Sequence, residues 1–337
     1  FRSLSSLDEQ ARQARAAAIG HEEAARPFDL AAGAPLRVRL LRLAADDHVL
    51  LAVTHHIVSD GWSMGVFLRE LGALYAAGRA GQPSPLPGLP LQDSDFARWE
   101  RGRLQGEGLE RELAFWRSRL AAPLAPLDLP MARPRPALQT FAGADVQRAL
   151  PAALAERLRA VAEEQQVSLF MLLLAAFQVL LFRHSGQSDV LVGTPVANRA
   201  RLATEGLIGF FANTLVLRCD LADNPPFGAL LQQVKTVVLE AQAHESLPFD
   251  KLVEELRPER DASRNPIFQA MFNLQHADDA VPHLEGLRVT LPPRAANHAA
   301  RFDLSATLRE GAGRLELTLE YNTDLFDHAA VEALGGR

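Results

Sequence analysis

Apolar and polar positions along the first 80 residues follow two different rhythms. Leu36-Arg37-Val38-Arg39-Leu40 alternates residue by residue, positions 49–54 are apolar up to Thr54, and Ala44-Ala45-Asp46-Asp47 between them is short and turn-like. An alternating run and a continuously apolar run on either side of a turn predict a β-hairpin, its second strand the more buried. Over residues 63–78 the period lengthens. Met64, Phe67, Leu68, Leu71 and Tyr75 fall three and four residues apart, which predicts a helix capped by Ser63. Between strand and helix lies the turn His55-His56-Ile57-Val58-Ser59-Asp60-Gly61.

Further along, prolines at 83, 85 and 87 interrupt regular structure, and five more over residues 123–136 mark a boundary between two lobes, residues 1–130 and 131–337. Helices are expected over 109–120, 151–166, 168–183, 227–243 and 248–256, and strands over 189–196, 210–220 and 267–275. The stretch 169–182 is apolar except for Gln178. It is shorter than the roughly 20 residues that cross a bilayer, so it reads as a buried helix. Residues 301–308 and 314–322 form a hairpin around Gly311-Ala312-Gly313, with Leu315, Leu317, Leu319 and Tyr321 on one face and Glu316, Thr318 and Glu320 on the other. Strands and helices interleave without strict βαβ regularity, which points to an α/β layered sandwich in two lobes.

Composition narrows the picture. A chain of 337 residues, 48% hydrophobic and 23% charged, has material for one large core or two medium ones. The net charge of -6 gives no attraction to phosphate backbones, which disfavours nucleic acid as a partner. Cys219 is the single cysteine. It excludes an internal disulfide framework and a cysteine-rich zinc site, and points to a cytoplasmic setting away from the membrane.

The histidine turn carries the candidate chemistry. Successive strand side chains point to opposite faces, so His55 and His56 cannot both enter one cavity; one is catalytic and the other structural. An imidazole accepts a proton from an attacking nucleophile near neutral pH when a neighbour fixes its tautomer. Asp60 either shapes the loop or orients that ring. A metal site from His55, His56 and Asp60 is disfavoured, because adjacent histidines diverge and no HExxH or cysteine pair supports them. Gly61-Trp62-Ser63-Met64-Gly65 also matches GxSxG, making a serine hydrolase with Ser63 as nucleophile the rival from another reaction class. Residues 57–62 separate Ser63 from the strand end, whereas a nucleophile elbow needs its serine at the turn itself.

On these residues the chain resembles the condensation domains of nonribosomal peptide synthetases, whose HHxxxDG signature is matched by His55, His56, Asp60 and Gly61. Four further stretches follow in the family's order. Asp95-Phe96-Ala97-Arg98-Trp99 is similar to DYAxW, and Ile208-Gly209-Phe210-Phe211-Ala212-Asn213-Thr214 to IGxFxNT. His244-Glu245-Ser246-Leu247-Pro248-Phe249-Asp250 resembles HQDxPFE, and residues 260–268, from Arg260 to Phe268, resemble RDxSRNPLF. Asp93, Ala212, Glu245 and Ser246 depart from the family pattern. Two opening motifs are missing, one of which carries an arginine that pairs with the motif aspartate, so the chain reads as an excerpt of a larger synthetase.

The resemblance implies a chloramphenicol acetyltransferase-like fold, two similar lobes in a V with the active site between them, the first lobe here incomplete. It implies amide-bond formation between an acyl or peptidyl thioester and an aminoacyl thioester. His56 is then the functional histidine, His55 a buttress, and Asp60 a charged partner holding the loop. Backbone amides near Gly61 are expected to stabilise an oxyanion. Asn213, Trp62 and Ser63 are candidate substrate contacts. No bound cofactor is implied: both substrates would ride on 4'-phosphopantetheine of upstream and downstream carrier domains, beside an adenylation domain in the same megasynthetase, with the domain itself monomeric. A coenzyme A-dependent acyltransferase of the same fold, and a fold that docks carriers without reacting, are the alternatives.

Overall fold

Two separate sheets organise the chain, and the first is built by the predicted hairpin. A computed structural model describes residues 1–337 except 32, 122, 260, 277–282, 292–298 and 312, so Arg260 of the last motif and Ala312 of the expected turn lie outside the described residues. β1 (Arg2–Ser3) pairs in parallel with β2 (Leu36–Arg42), and β2 pairs antiparallel with β3 (His48–Thr54), Leu40 opposite Leu50. α1 (Glu9–Ala25) covers one face, starting at an Asp8 cap that accepts from the Ala11 amide at 2.9 Å. The apolar pattern does not announce this helix, whose inward face is only Ala16, Ile19 and Glu23.

Alternation along β2 turns Arg37 and Arg39 toward Glu23 of α1, with N to O distances of 3.4 and 2.7 Å. Leu36, Val38 and Leu40, with Leu50 of β3, stay between 38% and 53% exposed. The second strand is therefore covered on one face only, where Val49 and Leu51 pack on the small core of Leu4, Ala16, Ile19, Leu41 and Leu43. Residue by residue β3 is still the more covered of the two strands, as expected, with two of its seven residues exposed against four of seven in β2.

After β3 a single 3-10 turn, His56–Val58, leads into α2 (Gly61–Arg79), followed by α3 (Asp93–Arg103) and α4 (Gly106–Arg119). α4 precedes the proline-rich boundary at residue 130, yet Leu113, Trp116 and Leu120 belong to the larger core of the second sheet. Trp116 Nε1 donates to the His244 carbonyl at 3.2 Å and the His244 ring stacks on Phe115 at 3.8 Å, so this helix is anchored beyond the prolines.

The second sheet has the order β4-β9-β8-β7-β5-β6. Its elements are β4 (Gly143–Leu150), α5 (Ala152–Glu164), α6 (Leu169–Ser185), β5 (Asp189–Val196), α7 (Leu202–Glu205), β6 (Asn213–Asp220), α8 (Phe227–Ala243), α9 (Phe249–Leu256), β7 (Ala270–His276), β8 (Leu304–Gly311), β9 (Arg314–Asn322) and α10 (His328–Gly335). β5 pairs in parallel with β7 and β7 with β8, while the other pairs are antiparallel. As its composition predicts, α6 is buried almost all round. Ser168 caps it by accepting from Met171 N, and Gly186, at φ 72°, ends it in the left-handed conformation. Among the described residues no single helix is long and apolar enough to cross a membrane.

Gly193 in β5 shows how tightly this sheet is packed. A Cβ there would lie 2.1 and 2.2 Å from two atoms of the buried Phe268 ring. Gly193→Ala is expected to force that ring aside and lower the unfolding free energy by about 1 to 3 kcal/mol, read by urea denaturation. An unchanged midpoint would show that the ring has room to move.

Candidate active site

The histidine turn starts where β3 stops. His55 sits at the N-terminal end of the 3-10 turn, its own amide donates to the Pro35 carbonyl at 2.8 Å, and its Nδ1 accepts from the Ile57 amide at 3.0 Å. Its ring also meets Phe28 edge-on at 5.8 Å. That ring is engaged in shaping the turn.

His56 is held differently. Its Nδ1 lies 2.6 Å from the Ser59 carbonyl oxygen, which only accepts, so Nδ1 carries a proton and in the neutral ring Nε2 is the nitrogen with the lone pair. The residue is exposed, and its ring meets Phe210 edge-on at 4.9 Å and 81°. A neutral imidazole with a fixed tautomer and an open basic nitrogen is equipped to take a proton from a nucleophile.

Below the turn, Asp60 gathers a buried network. Its carboxylate caps α2 by accepting from the Ser63 amide at 2.8 Å, and it also accepts from Ser63 Oγ at 2.7 Å, Phe211 N at 3.1 Å and Arg199 Nη2 at 3.3 Å. The Asp60 and Arg199 side chains are only 3% and 1% exposed. Burial pushes the Asp60 pKa up, but the hydrogen bonds from Ser63 and Phe211 and the Arg199 charge outweigh it and hold the carboxyl below its usual range. Arg199 is shifted down by burial despite Asp60. It also donates to the Thr204 and Leu207 carbonyls and lies 4.0 Å over the Phe211 ring.

Two sequence assignments change here. Ser63 is not the cap of α2: Asp60 is, three residues earlier, and Ser63 is fully buried. The Ser63 hydroxyl proton lies between Asp60 Oδ1 and the Gly209 carbonyl, while its oxygen accepts from Gly209 N at 3.1 Å and Arg199 Nη2 at 2.9 Å. A serine so enclosed neither meets a substrate nor serves as a hydrolase nucleophile. Asn213 likewise has no amide group left over. Its Nδ2 donates to the Glu245 and Leu247 carbonyls, both at 2.7 Å, and its Oδ1 accepts from Thr214 N and Phe249 N; it braces the loop before α9 rather than offering its amide to a substrate. At Gly61 a Cβ would meet no atom within 4 Å, so the backbone there borders open space.

Trp62 remains 46% exposed, its Nε1 donating to the Glu205 carbonyl at 2.8 Å. The histidine turn and the segment from Arg199 to Phe211 are thus tied together by Trp62, Asp60 and Ser63. Arg199, Phe210 and the Ser59 carbonyl were not signalled by the local sequence. Asp60, expected to lose its partner with the missing opening motifs, has Arg199 in that place. Surface hollows of about 520 Å³ beside Arg98 and Arg101 of α3 and beside Met131 and His184 include none of the histidine-turn residues.

Comparison with known proteins converges on one family. The model of the condensation domain matches residues 2–336. A linear gramicidin synthase of Brevibacillus parabrevis is 46% identical over 97% of the chain, and phosphinothricin tripeptide synthetase PhsC of Streptomyces viridochromogenes 43% over 99%. The chain spans 4% and 31% of the length of these two relatives. Among solved structures, the X-domain from teicoplanin biosynthesis is similar with a TM-score of 0.87 and 32% identity over 98% of this chain and 75% of its own. The first condensation domain of the calcium-dependent antibiotic synthetase, at 21% identity and a TM-score of 0.77 over the whole chain and 73% of its own, shares the fold.

Proposed function

The chain belongs to the condensation-domain family, and we propose that it joins a carrier-bound acyl or peptidyl thioester to a carrier-bound aminoacyl group, forming an amide bond in nonribosomal peptide synthesis. The observation that carries this reading is the exposed His56 ring with its Nδ1 proton on the Ser59 carbonyl and Nε2 open. An α-amine with a pKa of about 7.7 to 8.0 is already partly neutral near pH 7.5. It attacks the thioester carbonyl, so that a C–N bond forms and the C–S bond breaks. His56 Nε2 takes the proton released from the nitrogen and returns it to the departing sulfur. We assign the backbone amides near Gly61, where α2 starts, to the developing oxyanion.

We assign His56 as the catalytic group, His55 as the buttress of the turn, and Asp60 with Arg199 as the pair that holds it. Asn213 and Ser63 are assigned to bracing, and Trp62 to the rim. The substrates arrive on 4'-phosphopantetheine of upstream and downstream carrier domains, next to an adenylation domain, with the domain monomeric and cytoplasmic.

Incubating the chain with an acyl-loaded donor carrier and an aminoacyl-loaded acceptor carrier is expected to give an amide on the acceptor, detected by mass spectrometry of the intact carrier. Amide formed equally well from free acyl-coenzyme A would favour the coenzyme A-dependent alternative. No product from either, with carrier binding intact, would favour docking without reaction. That second reading draws on the X-domain of teicoplanin biosynthesis, which has been solved in a complex with OxyB and is 32% identical to this chain.

A further inference from the structure

Phe210 is the one aromatic side chain whose ring touches His56 among the described residues, and its position is unusually well determined for a half-exposed group. The residue before it, Gly209, donates its amide to Ser63 Oγ at 3.1 Å and has its carbonyl 2.8 Å from the same hydroxyl. The residue after it, Phe211, donates its amide to Asp60 Oδ2 at 3.1 Å and carries the Arg199 guanidinium over its ring. Both flanks of Phe210 are therefore tied to the network beneath the histidine turn. The Phe210 side chain itself projects out of that network and is 49% exposed. An aromatic ring left this open contributes little by burial, and no hydrogen bond fixes it.

We propose that Phe210 is a positioning residue that fixes the orientation of the His56 ring. The hydrogen bond from Nδ1 to the Ser59 carbonyl restrains one edge of the imidazole but leaves the ring free to swing about that contact. The edge-on packing at 4.9 Å and 81° supplies the second restraint. The Asp60 network thereby acts on His56 from two sides, through the backbone of the turn and through the segment that presents Phe210. This inference rests on the proposed function only for its kinetic consequence; the ring contact is testable without turnover.

An aromatic pair of this geometry is worth about 0.5 to 1.5 kcal/mol beyond its area, which as a change in barrier is roughly a two- to tenfold rate effect. Phe210→Leu, which keeps bulk and removes the ring, is expected to lower kcat for amide formation by about two- to tenfold with KM unchanged within about twofold, while Phe210→Tyr restores the wild-type rate. The same variants are read by NMR of histidine-labelled protein. The His56 ring signal, identified by its loss in His56→Gln, should move when Phe210→Leu removes the aromatic ring current, and return toward its original position in Phe210→Tyr. Identical His56 signals in wild type and Phe210→Leu would overturn the proposal, as would a raised KM with unchanged kcat, which would make Phe210 a wall for substrate instead. A wild-type chain whose His56 signal responds as expected but which yields no amide product would remove the proposed function and leave the ring restraint standing.

Discussion

Replacing His56 with alanine is expected to slow amide formation by about 10² to 10⁴-fold, the range over which a positioned general base acts, while lowering stability by no more than about 1.5 kcal/mol, the most that its ring contact with Phe210 is worth. The geometry separates these two effects. The ring is exposed, and its one hydrogen bond runs to the Ser59 carbonyl, which water can satisfy once the imidazole is gone. His55→Ala is expected to show the reverse pattern, because the His55 ring accepts the Ile57 amide that starts the 3-10 turn; stability and rate then fall together. Single-turnover assays with loaded carriers and urea denaturation on both variants distinguish the two. If His56→Ala kept a third or more of the wild-type rate, the imidazole would be neither base nor positioner, and catalysis would have to rest on bringing the two thioesters together.

The contrast between the two histidines was legible in the sequence only in part. The expectation that they differ rested on alternation along a strand, but β3 ends at Thr54 and the two histidines lie in the 3-10 turn that follows, where each ring has its own partners. Which nitrogen of His56 is free depends on the Ser59 carbonyl, a backbone group with no sequence signal. Local periodicity also placed α6, β5, α8 and the β8–β9 hairpin, because long apolar or alternating runs bury whole faces of these elements. It missed α1 and β4, where the inward positions are few and small. The strand expected from residue 210 begins instead at Asn213, since Gly209 and Phe211 give their amides to Ser63 and Asp60 rather than to a neighbouring strand. In the same way Ser63 passed for a cap because serine is a good one. Asp60 takes that position because its carboxylate can reach Ser63, Phe211 and Arg199 at once. Arg199 is 139 residues away from Asp60, and no local pattern encodes a pairing over that distance.

That pairing makes Asp60 and Arg199 the positions where a single substitution should cost the most stability. Removing one member of a buried ion pair strands the other, at about 3 to 5 kcal/mol. Asp60→Ala is expected to reach this range, because it removes the cap of α2, the acceptor of the Phe211 amide and the counter-charge of Arg199 together. Asp60→Asn should cost less, since an amide oxygen still caps the helix. Its deficit should also depend on pH. The folded chain holds the Asp60 pKa below its ordinary value, so the carboxylate's contribution is complete above the unfolded value of about 4. It fades as pH falls through the lower folded value, and the gap between wild type and Asp60→Asn should therefore be widest near neutrality and close in acid. Burial lowers the Arg199 pKa, and its Nε has no partner among the described residues, so the pair carries a desolvation cost. Replacing both residues with apolar side chains, Asp60→Ala with Arg199→Met, should for this reason recover part of the stability lost in either single variant. Activity should not recover with it, because Phe211 would still lack its anchor and the neighbouring Phe210 would no longer be presented to His56. Urea denaturation at pH 7 and in steps down to about pH 2, with the condensation assay, reads these predictions. Single variants within about 1 kcal/mol of wild type would mean that the pair behaves as an exposed one does, and that the turn is held by its backbone alone.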